Sequence, residues 1–71
     1  MRVTGIKDVE AFIKVIDSCS GRVELVTAEG DRLNLKSRLA QYVFADDSLR
    51  ELEIIASEPE DVNKIIGFLM N

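Results

Sequence analysis

The chain has 71 residues, of which 46% are hydrophobic, with one cysteine, no histidine and a formal net charge of −4. This length predicts a single domain spanning residues 1–71, and one cysteine excludes an internal disulfide. No apolar run is long enough for a membrane span or a signal peptide, and basic residues do not cluster. We therefore expect a cytoplasmic domain that binds no membrane, nucleic acid, metal or cofactor.

The first predicted elements are a short strand over residues 1–4 and a helix that follows it. Val9, Phe12, Ile13 and Ile16 recur at the spacing i, i+3, i+4 and i+7, which places them on one helical face. Gly5 is an acceptable N-cap for this helix. The helix is expected to end near residues 18–21, where glycine favours a helix terminus.

The pattern then alternates with period two, which predicts an antiparallel hairpin. Its strands cover residues 22–27 and 32–36, and Gly30 in the turn can adopt a positive φ. Ser37 is a good N-cap for a short helix that ends at residues 46–48. The apolar residues of this helix are Leu39, Ala40, Val43 and Phe44.

A last strand over residues 49–56 and a last helix complete the chain. Ser57 begins a predicted capping box with Pro59 in the first turn, and the apolar stripe that follows is Val62, Ile65, Ile66 and Leu69. The order β-α-β-β-α-β-α predicts an α+β fold with a four-stranded antiparallel sheet and helices on one face. A ferredoxin-like arrangement shares this order.

Several segments of the second half resemble one bacterial family. They are Lys36-Ser37-Arg38-Leu39, the strand Leu52-Glu53-Ile54-Ile55-Ala56, the acidic helix start Glu58-Pro59-Glu60-Asp61 and the ending Ile65-Ile66-Gly67-Phe68-Leu69. Phe12-Ile13-Lys14 also looks like a family segment. With these segments the chain resembles HPr, the histidine-containing phosphocarrier protein of the bacterial sugar phosphotransferase system. The resemblance implies an HPr-like open-faced β-sandwich.

The chain departs from this family at the active site. The resemblance places the family's phosphorylated histidine on Gly5 and the arginine beside it on Lys7. Glycine has no side chain to phosphorylate, and the chain contains no histidine. Relay of phosphate through histidine is therefore excluded, and we expect a non-catalytic divergent member with no catalytic residue.

Two single residues have both a functional and a structural interpretation. The resemblance aligns Ser37 with the serine that a dedicated kinase phosphorylates in some bacteria, whereas the commoner role of such a serine is an N-cap. Cys19 continues the apolar face of the first helix and lacks a histidine to activate it. We therefore expect Cys19 to be a buried core residue rather than a nucleophile.

The function predicted from these residues is binding to another protein of unknown identity. Lys7, Val15, Tyr42 and Phe44 are candidates for its surface, because the resemblance implies that partners bind near the first two helices. Ile55 is also out of phase with its strand, although most of these apolar residues fit a core role as well. The alternative is a phosphotransferase-system regulator that signals through phosphorylation of Ser37. An enzyme that uses paired carboxylates or Cys19 is the third hypothesis.

Overall fold

The computed structural model describes residues 1–46 and 51–70. The elements follow the predicted order β-α-β-β-α-β-α: β1 (Arg2–Val3), α1 (Val9–Asp17), β2 (Val23–Val26), β3 (Arg32–Asn34), α2 (Arg38–Asp46), β4 (Leu52–Ala56) and α3 (Pro59–Leu69). Residues 47–50, predicted to end the second helix and begin the last strand, lie outside the described residues.

The strands form one sheet with the order β1-β4-β2-β3, and every neighbouring pair is antiparallel. The central strands β4 and β2 are in register with Leu25 opposite Ile54, and β3 pairs with β2 through Leu33 opposite Leu25. This order differs from the ferredoxin-like arrangement, in which the first and third strands are central. The predicted α+β class with a four-stranded antiparallel sheet is confirmed.

One face of the sheet packs against the helices. Alternation along β2 buries Val23 and Leu25, and Ile54 is buried beside them on β4. Because the buried residues of the sheet and of the helices form a single cluster, the three helices cover the same face. The cluster contains Val3, Ile6, Phe12, Ile16, Cys19, Val23, Leu25, Leu35, Ala40, Phe44, Ile54 and Ile65.

Phe12 of α1 connects the three helices at the centre of this core. Its ring stacks on Phe44 of α2 at a centroid distance of 5.0 Å and meets Phe68 of α3 edge-on at 5.4 Å. Phe12 and Phe44 are both fully buried. Such ring pairs add to the free energy of burial, so the helices are held to each other as well as to the sheet.

The helix α1 begins later than predicted, with Asp8 rather than Gly5 as its N-cap. Oδ1 of Asp8 accepts a hydrogen bond from the backbone N–H of Ala11 at 3.0 Å. Gly5 lies in the preceding loop with φ of 68°, a conformation that favours glycine. A carboxylate also suits the positive end of the helix dipole better than glycine does.

The two predicted turn features of the central region are confirmed. Gly30 in the hairpin has φ of 90°, and Ser37 caps α2 through a hydrogen bond from the N–H of Ala40 to Oγ at 3.2 Å. Both features depend on local backbone conformation, which is why short sequence patterns predict them.

The helix α3 is rotated relative to the prediction. Its buried residues are Asp61 and Ile65, whereas Ile66 and Leu69 are 40% and 37% exposed. The predicted capping box is also wrong, because Glu58 is the N-cap and makes no side-chain capping bond. The Ser57 hydroxyl instead accepts a hydrogen bond from the N–H of Arg22.

Candidate functional site

A groove of about 250 Å³ lies between α1 and α2. Val9 and Ile13 line it from α1, and α2 contributes Arg38, Gln41, Tyr42 and Ala45. The amide of Gln41 donates a hydrogen bond to Oδ1 of Asp17 at 3.1 Å, which joins the two helices on this side of the molecule. We call this surface the α1–α2 groove.

Large apolar side chains on α2 point away from the core beside this groove. Tyr42 is 71% exposed and Leu39 is 72% exposed, whereas Ala40 and Phe44 of the same helix are buried. Helical geometry accounts for this division, because Leu39 and Tyr42 share the side opposite to Ala40 and Phe44. The exposed side of α2 therefore presents two large, mainly apolar side chains to solvent.

The predicted partner surface is only partly brought together by the fold. Tyr42 lines the α1–α2 groove, and Lys7 is exposed in the loop before α1. Val15 is half-buried and packs against the core. Phe44 is a correction, because it is fully buried against Phe12 and takes no part in any surface. Ile55 is half-buried and opposite Glu24, on the sheet face away from the helices.

The position matched to the family's phosphohistidine lies in a shallow cavity of about 390 Å³. Residues 4–8 line it together with Phe68 and Leu69 from α3. Gly5 offers no side chain there, and the Asp8 carboxylate already occupies the N-terminus of α1. Because a helix N-terminus attracts anions through its free N–H groups, Asp8 makes this end of α1 a poor phosphate site.

A buried carboxylate that sequence reasoning missed lies on the other side of the core. Asp61 is fully buried, and its two oxygens accept hydrogen bonds from the backbone N–H of Ser20 at 3.0 Å and Gly21 at 2.8 Å. The pKa of Asp61 is lowered, and the bond from Gly21 is the main cause. Desolvation raises the pKa, but the bond from Ser20 and the charges of the nearby lysines lower it further. The sequence shows Asp61 only as one residue of an acidic helix start, and nothing in that segment indicates burial.

Two lysines hold the same loop from outside. Nζ of Lys36 donates a hydrogen bond to the backbone oxygen of Cys19, and Nζ of Lys64 donates to the oxygen of Ser18 at 3.0 Å. Gly21 is needed at this point, because a Cβ there would lie 2.5 Å from Cγ of Glu58. These contacts join α3 and the segment between β3 and α2 to the loop between α1 and β2, which is a structural role.

Cys19 is a core residue, as expected. It is buried, and its Sγ donates a hydrogen bond to the backbone oxygen of Val15 at 3.4 Å. Burial, followed by the negative charge of Asp61, raises the pKa of the thiol. A thiol that stays protonated and covered is a poor nucleophile and a good small apolar side chain.

Comparisons with known proteins leave the geometry as the basis for any functional conclusion. The fold and groove define a small α+β domain with one sheet face covered by helices. The chain matches no protein-family model, no curated protein and no solved structure.

Within residues 1–46 and 51–70, no group of three or more histidine, cysteine or acidic residues is arranged to hold a metal ion. In the same residues, no helix combines the length and the apolar character that a membrane crossing needs.

Proposed function

We propose that this chain is a non-catalytic, HPr-like cytoplasmic domain that acts by binding another protein through the α1–α2 groove. The observation that carries the proposal is Tyr42, a large aromatic side chain that is 71% exposed at the edge of an apolar groove. Tyrosine and arginine, together with tryptophan, are enriched among the residues that anchor protein interfaces. Arg38 lies in the same groove lining.

The HPr-like part of the proposal is supported by architecture and by the segments that resemble the family. A single sheet covered by helices on one face is what an open-faced β-sandwich requires. The missing histidine and the position of Gly5 remove the family's phosphate relay. What such a domain retains is a stable surface on its first two helices, which is where the resemblance implies that partners bind.

A protein fits the groove better than a small molecule does. Small-molecule sites usually enclose most of the ligand and present several converging polar groups. The α1–α2 groove is shallow, and the Gln41 amide is already bonded to Asp17. An apolar strip with an exposed aromatic residue and a flanking arginine is typical of a protein interface.

The test compares Tyr42→Ala with Met70→Ala in affinity capture from bacterial lysate. Met70 is the matched control, because it is 81% exposed and lies after α3, outside the groove. We expect wild type and Met70→Ala to capture the same protein and Tyr42→Ala to lose it, with equal melting temperatures for all three. Equal capture by Tyr42→Ala, or no specific capture by wild type, contradicts the proposal.

The alternative function is regulation through phosphorylation of Ser37, and one observation favours it. Ser37 is exposed, and its hydroxyl lies at the N-terminus of α2 next to Arg38 in the groove. A phosphate there would meet the positive end of the helix and would change the charge of the binding surface. Incubation with the family's serine kinase and ATP, followed by mass measurement of wild type and Ser37→Ala, tests this function.

A further inference from the structure

The exposed side of α2 carries a charged and aromatic row with a regular spacing. Arg38, Tyr42 and Asp46 follow each other at intervals of four residues, and all three are exposed. The side chains of Arg38 and Asp46 make no hydrogen bond or ion pair with any other residue that the structure describes. Leu39 and Ala45 are exposed on either side of the row. We call these five residues the α2 row.

The order of charges makes the α2 row complementary to itself. Residues four apart form a ridge on a helix surface, and the commonest packing of two helices aligns such ridges at about 50° between the axes. A twofold axis along the ridges would place like charges side by side, so the charges favour a twofold axis across the ridges, which makes the ridges run in opposite directions. Arg38 of one copy then lies beside Asp46 of the second copy, and the two Tyr42 rings meet at the axis.

We infer that a second copy of this chain occupies the α2 row, so that the domain forms a twofold dimer through α2. The inference goes beyond the proposed function, because it adds a contact between two copies of the chain to the surface that is proposed to bind another protein. Two Arg38–Asp46 pairs flank a centre of two tyrosines, which is the charge complementarity that favours one register over the others. Tyrosine rings in contact add offset or edge-on packing.

The small size of the surface determines how strong this dimer is. The nine residues of α2 extend over about 14 Å. Such a face falls short of the roughly 800 Å² per partner that stable complexes usually bury. Each chain also carries a net charge of −4, which opposes association when salt is low. The dimer is therefore weak and reversible, and it forms only at high chain concentration.

The test uses exchanged charges and sedimentation velocity from about 20 µM to about 1 mM in moderate salt, where weak dimers are measurable. Arg38→Glu and Asp46→Arg each place like charges together in a homodimer, so each variant alone is expected to associate at least about tenfold more weakly. An equal mixture of the two variants restores both opposite-charge pairs. We therefore expect the mixture to associate within about threefold of the wild type.

The controls separate loss of association from loss of folding. Glutamate at the start of a helix and arginine at its end both suit the helix dipole, so neither change is expected to lower the melting temperature. Glu29→Arg in the exposed hairpin turn makes a comparable change of charge outside the α2 row and is expected to leave association unchanged. Tyr42→Ala is expected to abolish association.

Two outcomes overturn the inference. One is a wild-type chain that remains monomeric over the whole concentration range. The other is association that neither charge variant weakens, or that the mixture fails to restore. These outcomes are independent of the lysate experiment, because capture of a different protein that depends on Tyr42 supports the proposed function even when no dimer forms.

Discussion

The helices α1 and α3 have the same spacing of apolar residues, but they bury different sides relative to that apolar stripe. Each carries four apolar residues at i, i+3, i+4 and i+7. In α1 the pattern is correct, since Phe12 and Ile16 are fully buried. In α3 the buried side is rotated by roughly one residue position, and Asp61 and Ile65 are its buried residues. The apolar pattern alone therefore does not determine which side of a helix is buried.

The reason for the difference is the partner that each helix meets. The helix α1 has apolar neighbours on its inner side, so burial of its apolar stripe gives the lowest free energy. The N-terminal turn of α3 lies against the backbone N–H groups of Ser20 and Gly21, which need an acceptor. Asp61 provides it. These two bonds are partly buried, and N–H groups in such places are costly when unpaired, so their pairing with Asp61 competes with the full burial of Ile66 and Leu69.

The largest expected effect is at Phe12, where α1 meets α2 and α3. Phe12→Ala removes the ring that contacts both Phe44 and Phe68. We expect a loss of about 3–5 kcal/mol in the free energy of unfolding, which is most of what a domain of this size has. Chemical denaturation measures it. A cooperative variant with near-wild-type melting would contradict the central position of Phe12.

The neighbouring residues Ile65 and Ile66 test the rotation of α3 directly. Ile65 is fully buried and Ile66 is 40% exposed. Ile65→Ala is expected to cost about 2–5 kcal/mol, and Ile66→Ala about 1 kcal/mol, because Ile66 loses less buried apolar surface and leaves no enclosed cavity. Urea unfolding of both variants gives the comparison. Equal costs would mean that the predicted stripe, not the observed one, is buried.

Asp61 is expected to make the stability of the folded protein depend on pH. Its pKa is lowered below the ordinary value of 3.8 in the folded protein, so its contribution to stability is complete above that value. The contribution is lost as the pH falls from there through the lower native pKa. We expect Asp61→Asn to be less stable than wild type at neutral pH and to lose less stability on acidification, measured by thermal unfolding between pH 7 and pH 2.

Glu60 provides the matched control for this experiment. It precedes Asp61 on α3, is exposed, and also carries a carboxylate. Glu60→Gln is expected to leave both the neutral stability and its acid dependence close to the wild type. If Glu60→Gln and Asp61→Asn behave alike, the hydrogen bonds to Ser20 and Gly21 are not the cause of the acid dependence.

The smallest expected effect is at Ser37. Its hydroxyl accepts a hydrogen bond from Ala40, so Ser37→Ala is expected to cost about 1 kcal/mol. Ser37→Asp is expected to keep most of the stability, because aspartate caps helices as well as serine does. Thermal unfolding of the two variants measures this effect. A Ser37→Ala variant as stable as the wild type would show that the cap contributes little.

Sequence reasoning was reliable where one or two turns of chain decide the structure. Gly30 takes the positive φ that the hairpin turn requires, and Ser37 caps the helix that it precedes. It failed at Ser57, which had the composition of a capping box but bonds to Arg22 across the molecule. Ser57 bonds to the distant N–H of Arg22 instead of an N–H in the first turn of α3, and no local sequence pattern indicates such a distant partner.

The residues of the candidate site were also only partly predictable from the sequence. Tyr42 and Phe44 are two residues apart on α2, and the sequence treats both as apolar residues that either line a surface or fill the core. The fold separates them, since Phe44 stacks on Phe12 and Tyr42 faces solvent. Only the position of α1 relative to α2 decides which of the two is available to a partner.

The sequence by itself determined the order of elements, the stripe of α1, the hairpin and the absence of histidine chemistry at the position of Gly5. Each of these depends on residue identity or on backbone preferences within a few residues. The tertiary structure alone decided the rotation of α3, the burial of Asp61 and the exposure of Tyr42. These depend on hydrogen bonds and ring contacts between residues tens of positions apart, such as Asp61 with Gly21, and only folding brings those residues together.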